Sequence, residues 1–299
     1  VTRFQPPLCL IIDTASRQGI VALGPSSHPA KQVEPIPRTP IDPRTQIDRE
    51  AISTGGFGFD RVESALSLLP VESVAWEVIP SDPGVNRMLV PTIQQLLTRF
   101  ALPFDQVRPL AVIQGPGSFT GLRVGIATAK TLAYAASVPL LAIDALEAIA
   151  LEGWLSIGQQ SPMEIGVLMD AYRGDFFWGR WRWDQTGWKT IEPSRLLPAT
   201  EGAPGCQAGI PSILCGPGIS VLDRKNLLAP WRDGGWQTLN DPIPLDIAAR
   251  ARLLLTHLLY ETALTIDPFS LLPSYLRGSA AEEKASSHQA TRPPGSIDG

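Results

Sequence analysis

The chain has 299 residues, 44% apolar and 18% charged, with 25 Lys and Arg against 29 Asp and Glu and a formal net charge of −4. That length supports one large or two modest domains with a proper core, and the balance excludes a chain disordered throughout. An acidic chain is poorly suited to hold nucleic acid by itself, because phosphate contact needs a strong basic field.

In chain order, Leu8-Cys9-Leu10-Ile11-Ile12 is an apolar run of strand length. A polar turn, Asp13-Thr14-Ala15-Ser16-Arg17-Gln18-Gly19, leads into Ile20-Val21-Ala22-Leu23, the returning strand of a hairpin. Prolines then crowd together (Pro25, Pro29, Pro35, Pro37, Pro40, Pro43), followed by Ser53-Thr54-Gly55-Gly56. Each proline removes a backbone donor and restricts its predecessor, so 25–73 is expected to be an irregular insertion, most plainly over 25–60. A third strand is expected over 74–79. Leu89, Ile93, Leu96, Leu97 and Phe100 follow at helical offsets.

Leu110-Ala111-Val112-Ile113 reads as a buried strand, Gly115-Pro116-Gly117-Ser118 as a turn, 119–136 as a helix and 138–143 as another strand. Asp144 and Glu147 have the spacing of a capping box. The second half repeats the opening pattern: strand 165–169, the turn Asp170-Ala171-Tyr172-Arg173-Gly174, returning strand 176–183. Ile213-Leu214-Cys215 precedes Gly216-Pro217-Gly218, and a long helix is expected over 246–264. Two halves that each open with strand, Asp-containing turn and strand suggest related lobes. The polar tail 279–299 is expected to be disordered.

The stretch Gly115-Pro116-Gly117-Ser118-Phe119-Thr120-Gly121-Leu122-Arg123 is the most informative. A glycine turn from strand to helix can aim several N–H groups at an anion. It can equally be a tight connection and nothing more. It is neither a Walker A loop nor a dinucleotide fingerprint. Gly121 and Gly125 lie inside the helix, each about 1 kcal/mol worse than Ala. With Ala129 they make a small-residue face, which lets another backbone approach closely. That backbone could belong to this chain or to a partner.

Asp13, Thr14 and Ser16, with Gly115, Gly117 and Ser118, are therefore candidate nucleotide- or anion-binding residues. Arg173, in the second turn, could join them. Ala171, Tyr172 and Arg173 put side chains where a triphosphate-wrapping hairpin needs bare backbone, which argues against efficient ATP hydrolysis. No H-E-x-x-H pair and no G-x-S-x-G elbow is present. Asp184, Glu192, Arg180 and Arg182 read as a solvated face of a Trp-rich hairpin (Trp178, Trp181, Trp183, Trp188). The three cysteines, Cys9, Cys206 and Cys215, form no disulfide or metal spacing, which fits a reducing cytoplasm. No apolar run reaches the roughly 18 residues of a membrane span, and no signal peptide is expected.

Four segments occur in order: Ile11-Ile12-Asp13-Thr14-Ala15-Ser16, Gly115 through Gly125, Asp170 through Gly174, and Pro273-Ser274-Tyr275-Leu276-Arg277. On these the chain resembles the bacterial TsaB (YeaZ) family of threonylcarbamoyladenosine biosynthesis proteins, over roughly 8–24 and 74–284. The resemblance implies an α/β, actin-like and sugar-kinase-like (ASKHA) fold of two lobes with mixed sheets. It places the first lobe at 1–24 and 74–145, the second at 146–266, and a C-terminal segment packing back at 267–278.

It further implies a non-catalytic scaffold that binds a TsaD-type catalytic paralogue and works with a TsaE-type ATPase. Such a subunit meets tRNA only through the complex, and alone could homodimerise. No cofactor is implied, with weak ATP or ADP binding left open. The implied partner face is the pair of first-lobe helices, with Leu89, Ile93, Leu96, Leu97, Gly121, Gly125, Ala129 and Leu132. The rival expectation is an actin-like ATP-dependent enzyme or a metallopeptidase-like hydrolase. The insertion, and Val85-Asn86-Arg87 where many members carry His-Ser-Glu, depart from the family pattern.

Overall fold

The computed structural model describes residues 8–16, 18–26, 57–239, 242–261 and 265–277. The insertion core, 27–56, and the tail from 278 onward lie outside the described residues. The first sheet holds β1 (Leu8–Asp13), β2 (Ile20–Pro25), β3 (Ala75–Val78), β4 (Val107–Gly115) and β5 (Leu140–Asp144) in the order β3-β2-β1-β4-β5. The second holds β6 (Met163–Asp170), β7 (Phe176–Asp184), β8 (Gly187–Leu197), β9 (Ser212–Cys215) and β10 (Gln237–Thr238) in the order β10-β9-β6-β7-β8. Read from its other edge, the second sheet follows the path of the first. In each, the central strand pairs antiparallel with the next strand and parallel with the strand that opens the following crossover. The two lobes are topological copies.

The central strands dictate the layering. Every residue of β1 is buried, and so is all of β6 but its last. Strands apolar on both faces need cover on both faces. On the first sheet, α2 (Val85–Arg99) and α3 (Phe119–Ala136) supply the outer cover, with Leu89, Ile93, Leu96, Ile126 and Ala133 against Leu10, Ile12 and Val112. Between the sheets run α4 (Ala145–Ser156) and α7 (Leu245–Glu261). Ten of the twelve residues of α4 are buried, as expected of a helix apolar all round. The outer face of the second sheet is covered by two short helices, α5 (Gly218–Arg224) and α6 (Ala229–Asp233).

Part of the expected irregular insertion is ordered. Phe57 makes a two-bond antiparallel bridge to Trp188 at 2.7 Å each way, and α1 (Phe59–Leu68) follows. Val62, Ala65 and Leu69 recur at offsets of three and four, so α1 buries one stripe and packs on α7. Proline density ends at Pro43, and the rest of the segment carries a helical pattern that the composition of its first half obscured.

The hairpin reading also needs correcting. All four of its tryptophans are buried, and Arg180 and Arg182 pair with Glu164, itself fully buried, at 3.2 and 2.7 Å. This face is a largely buried ionic network rather than a solvated one, although Arg180 Nε and Arg182 Nε find no partner in it. β8 escaped notice because Pro193 interrupts its alternation. The strand lies at the sheet edge, where a missing N–H is tolerated, and the ladder shifts register opposite it.

Candidate functional site

The turn after β1 is built around one carboxylate. Asp13 is 1% exposed. Its Oδ1 accepts the Ala15 and Ser16 amides at 2.9 and 3.2 Å, an Asx-type turn. Its Oδ2 accepts from Arg252 Nε at 2.7 Å and Nη2 at 2.6 Å. Arg252, on α7, also donates to Glu152 of α4 and to the Ala248 carbonyl. Burial works against the charge on Arg252, and the carboxylates of Glu152 and Asp13 more than offset it, so its pKa stands above the ordinary value. The four donors fill the acceptor sites of Asp13, leaving nothing to orient a metal-bound water or a phosphate.

The glycine turn closes on this one. Thr14 Oγ1 donates to the Gly121 carbonyl at 2.7 Å, and the Ser118 amide donates to the Ala15 carbonyl at 2.9 Å. A methyl group on Gly121 would run into the Thr14 carbonyl oxygen, one on Gly125 into the Thr14 hydroxyl, and one on Gly117 into the Ala15 carbonyl. The bare side of α3 is therefore occupied by this chain's own β1 turn. Ser118 caps α3 by accepting the Gly121 amide at 3.2 Å.

Leu89, Ile93, Leu96, Leu97, Gly121, Gly125 and Ala129 are buried in the chain's own interior, and Leu132 is half-buried. Their small or apolar character is used up by the sheet beneath them. They form the underside of a candidate partner face, not its surface.

The structure brings Asp13, Thr14, Ser16, Gly115, Gly117 and Ser118 together. Arg173 stands apart, on the corresponding turn of the second sheet. There Asp170 Oδ1 accepts the Tyr172 amide at 2.8 Å. Tyr172 and Arg173 take left-handed backbone, φ 63° and 56°, and Tyr172 is 73% exposed.

A segment that the residue-by-residue reading did not assign to the site links the turns. The Ser274 amide donates to the Gln114 carbonyl at 2.8 Å, and Gln114 Nε2 to the Leu272 carbonyl at 2.7 Å. Three residues on, Arg277 Nη1 donates to the carbonyls of Ala171 and Tyr172 at 2.7 and 2.8 Å and meets Asp175 at 3.2 Å. Three residues reach about 10 Å, so 274–277 straps one turn to the other. Gly115, with φ 128°, lies under the Ser274 carbonyl, where a side chain would collide.

Arg252 and Glu152 were also missed. α4 also carries Glu147, and α7 also carries Asp246, Arg250 and Glu261, so charge on an Ala- and Leu-rich helix does not by itself single them out. Among the described residues, no three His, Cys, Asp or Glu side chains converge as a metal ion would require, and no helix is long and apolar enough to cross a membrane.

A second junction lies where α4 begins. Asp144 Oδ1 accepts the Leu146 and Glu147 amides at 2.8 and 3.0 Å and the Ser194 hydroxyl at 2.8 Å. Glu147 does not complete a capping box. Its Oε1 accepts Trp188 Nε1 at 3.0 Å. Burial, then the neighbouring Asp144 charge, push the Glu147 carboxyl up to about 7, against the bond from Trp188. Burial likewise raises Asp144.

Comparison with known proteins agrees with this arrangement. The family model described as TsaD, tRNA N6-adenosine threonylcarbamoyltransferase, matches residues 85–197. The tRNA threonylcarbamoyladenosine biosynthesis protein TsaB of Escherichia coli is 31% identical over 113 residues, 38% of this chain and 48% of that protein. The protein of the same name from Bacillus subtilis is 25% identical over 198 residues, 65% of this chain and 80% of that one. The chain thus spans about half the length of the first relative and four fifths of the second. Among solved structures, YeaZ from Pseudomonas aeruginosa superposes with a TM-score of 0.59 at 19% identity, covering 90% of this chain and 99% of that one, which gives the actin-like two-lobe fold. With its motifs in family order and several relatives of one name, the chain is similar to proteins of the TsaB (YeaZ) family.

Proposed function

We propose that this protein is a non-catalytic scaffold of tRNA threonylcarbamoyladenosine synthesis that holds a TsaD-type paralogue. One observation carries the non-catalytic part: the Asp13 carboxylate is saturated by Arg252 and two amides of its own turn. An actin-like ATPase needs an acidic turn free to organise phosphate or its metal. Here a guanidinium sits on the carboxylate, and the opposite turn carries Tyr172 and Arg173 in place of bare backbone. The relatives named as threonylcarbamoyladenosine biosynthesis proteins support the pathway.

The partner face is the outer side of α2 and α3. Val90, Gln94, Ala127 and Thr131 are exposed there, and the residues named from sequence lie one layer below. A TsaE-type ATPase completes the machinery, tRNA is met only within the complex, and the setting is the cytoplasm. The test is reconstitution with the TsaD-type protein of the same genome. Threonylcarbamoyl transfer to tRNA should require this chain, the two should co-purify, and the isolated chain should not turn over ATP. ATP turnover by the isolated chain, abolished by Asp13→Asn, would restore the enzymatic reading.

A further inference from the structure

Nine large hydrophobic side chains are exposed among the described residues, and five of them (Phe119, Tyr134, Phe269, Leu272 and Tyr275) lie along one line. The line is the seam between α3 and the C-terminal strap. Phe119 stacks on Tyr275 at 4.9 Å, Tyr134 meets Phe269 edge-on at 5.1 Å, and Leu272, which lies between Phe269 and Tyr275 in sequence, is 62% exposed. The seam is held from beneath. Arg123 Nε donates to the Tyr275 hydroxyl at 3.0 Å, and Lys130 Nζ donates to the Leu271 carbonyl at 3.0 Å. Phe119, Arg123, Lys130 and Tyr134 fall on one side of α3, by helical spacing. A fixed ridge of this kind, rather than scattered exposed residues, marks an interaction surface.

Charge decides what fits. Neither α2 nor α3 contains a carboxylate, yet they carry Arg87, Arg99, Arg123 and Lys130 in a chain of net charge −4. Arg99 is paired with Glu77 at 3.0 Å. The bonds made by Arg123 and Lys130 end on hydroxyl and carbonyl oxygens, which cancel no charge. A second copy meeting this ridge across a two-fold axis would set like charges together, and a carboxylate-rimmed partner would not. A stacked base would need a free ring face, but Arg123 lies over Phe119 at 4.0 Å and Tyr275 is stacked on the same ring.

We infer that the α3–strap ridge is a docking surface for a protein partner whose apolar patch is rimmed by carboxylates. On the functional reading above, on which this rests, that partner is the TsaD-type subunit, and its contact extends past α2 and α3 onto the strap. The experiment measures affinity of the full chain for that subunit by calorimetry at low and high salt, with wild type, the double variant Phe269→Ala/Leu272→Ala, and Lys130→Gln. The double variant should keep the wild-type melting temperature and bind at least tenfold more weakly. Lys130→Gln should flatten the fall of affinity with salt.

If wild type forms no complex at all, the functional reading fails. If the complex forms and the double variant binds as tightly as wild type, the ridge assignment fails alone. Sedimentation showing a wild-type homodimer that the double variant dissolves, or tRNA binding by the isolated chain that the double variant abolishes, would also overturn it.

Discussion

The two lobes solve one problem in different ways. Each has a central strand ending in an Asp-containing turn, and each has a Gly-Pro-Gly turn at the end of the parallel neighbour: Gly115-Pro116-Gly117 after β4 and Gly216-Pro217-Gly218 after β9. In both, the glycines let the turn press closely on its neighbour, on Ala15 just after the central strand in the first lobe and on Leu168 within it in the second. The difference lies above. An eighteen-residue helix seals the first lobe and carries its glycines onto Thr14. A seven-residue helix covers the second, and the strap's Arg277 holds the Asp170 turn closed. The first turn is filled from inside by Arg252, while the second is tied from outside and leaves Tyr172 in solvent. One topology can be closed by burial or by tethering.

The sharpest way to break this comparison is Arg252→Met. It leaves Asp13 and Glu152 buried without their common cation, and removing one partner of a buried pair costs about 3–5 kcal/mol. Urea denaturation should show this loss. A loss below about 1 kcal/mol, the scale of a surface pair, would mean that the first turn is not held from inside.

Next in size is the other junction between the lobes, where Glu147 of α4 meets Trp188 of β8. Its folded pKa of about 7 lies above the ordinary 4.5. The folded state therefore binds the extra proton between those values, and stability falls as pH rises through that window and is level beyond it. Glu147→Gln keeps an acceptor for Trp188 and removes the charge. It should raise stability at pH 8 by roughly 1–3 kcal/mol and leave it little changed at pH 4. Melting curves at the two pH values check the sign.

Much of the frame was legible because it rests on local pattern. The apolar runs of β1, β4 and β6, and the periodicity of α2, pointed to their elements directly. The doubling of the lobes showed in the repeated strand, Asp turn and strand. What could not be read was which backbone the glycines of α3 admit. Gly121 and Thr14 are 107 residues apart, and spacing along one helix says nothing about what lies across from it. The Asp13–Arg252 pair spans 239 residues, so the fate of the candidate site depended on a contact with no local trace. The strap was placed by family likeness, while its aromatic residues, scattered over a proline- and serine-rich segment, gave no period.

The smallest effects come from exchanging the two closures. Propensity alone says that Gly121→Ala should stabilise α3 by about 1 kcal/mol. Contact says the reverse, because the new methyl meets the Thr14 carbonyl, a backbone atom fixed in β1's own turn, and overpacking costs about 1–3 kcal/mol. The net should be a loss. At the second turn the signs invert. Tyr172 holds left-handed backbone with its ring in solvent, a conformation that costs a non-glycine residue roughly 1–2 kcal/mol. Tyr172→Gly removes that strain and adds chain entropy to the unfolded state, about 0.5–1 kcal/mol, for a net gain of up to about 1 kcal/mol. Paired melting experiments on the two variants read the difference directly. A gain at Gly121 would show that α3 stands clear of Thr14, and a clear loss at Tyr172 would show that its ring is buried against something in the folded protein.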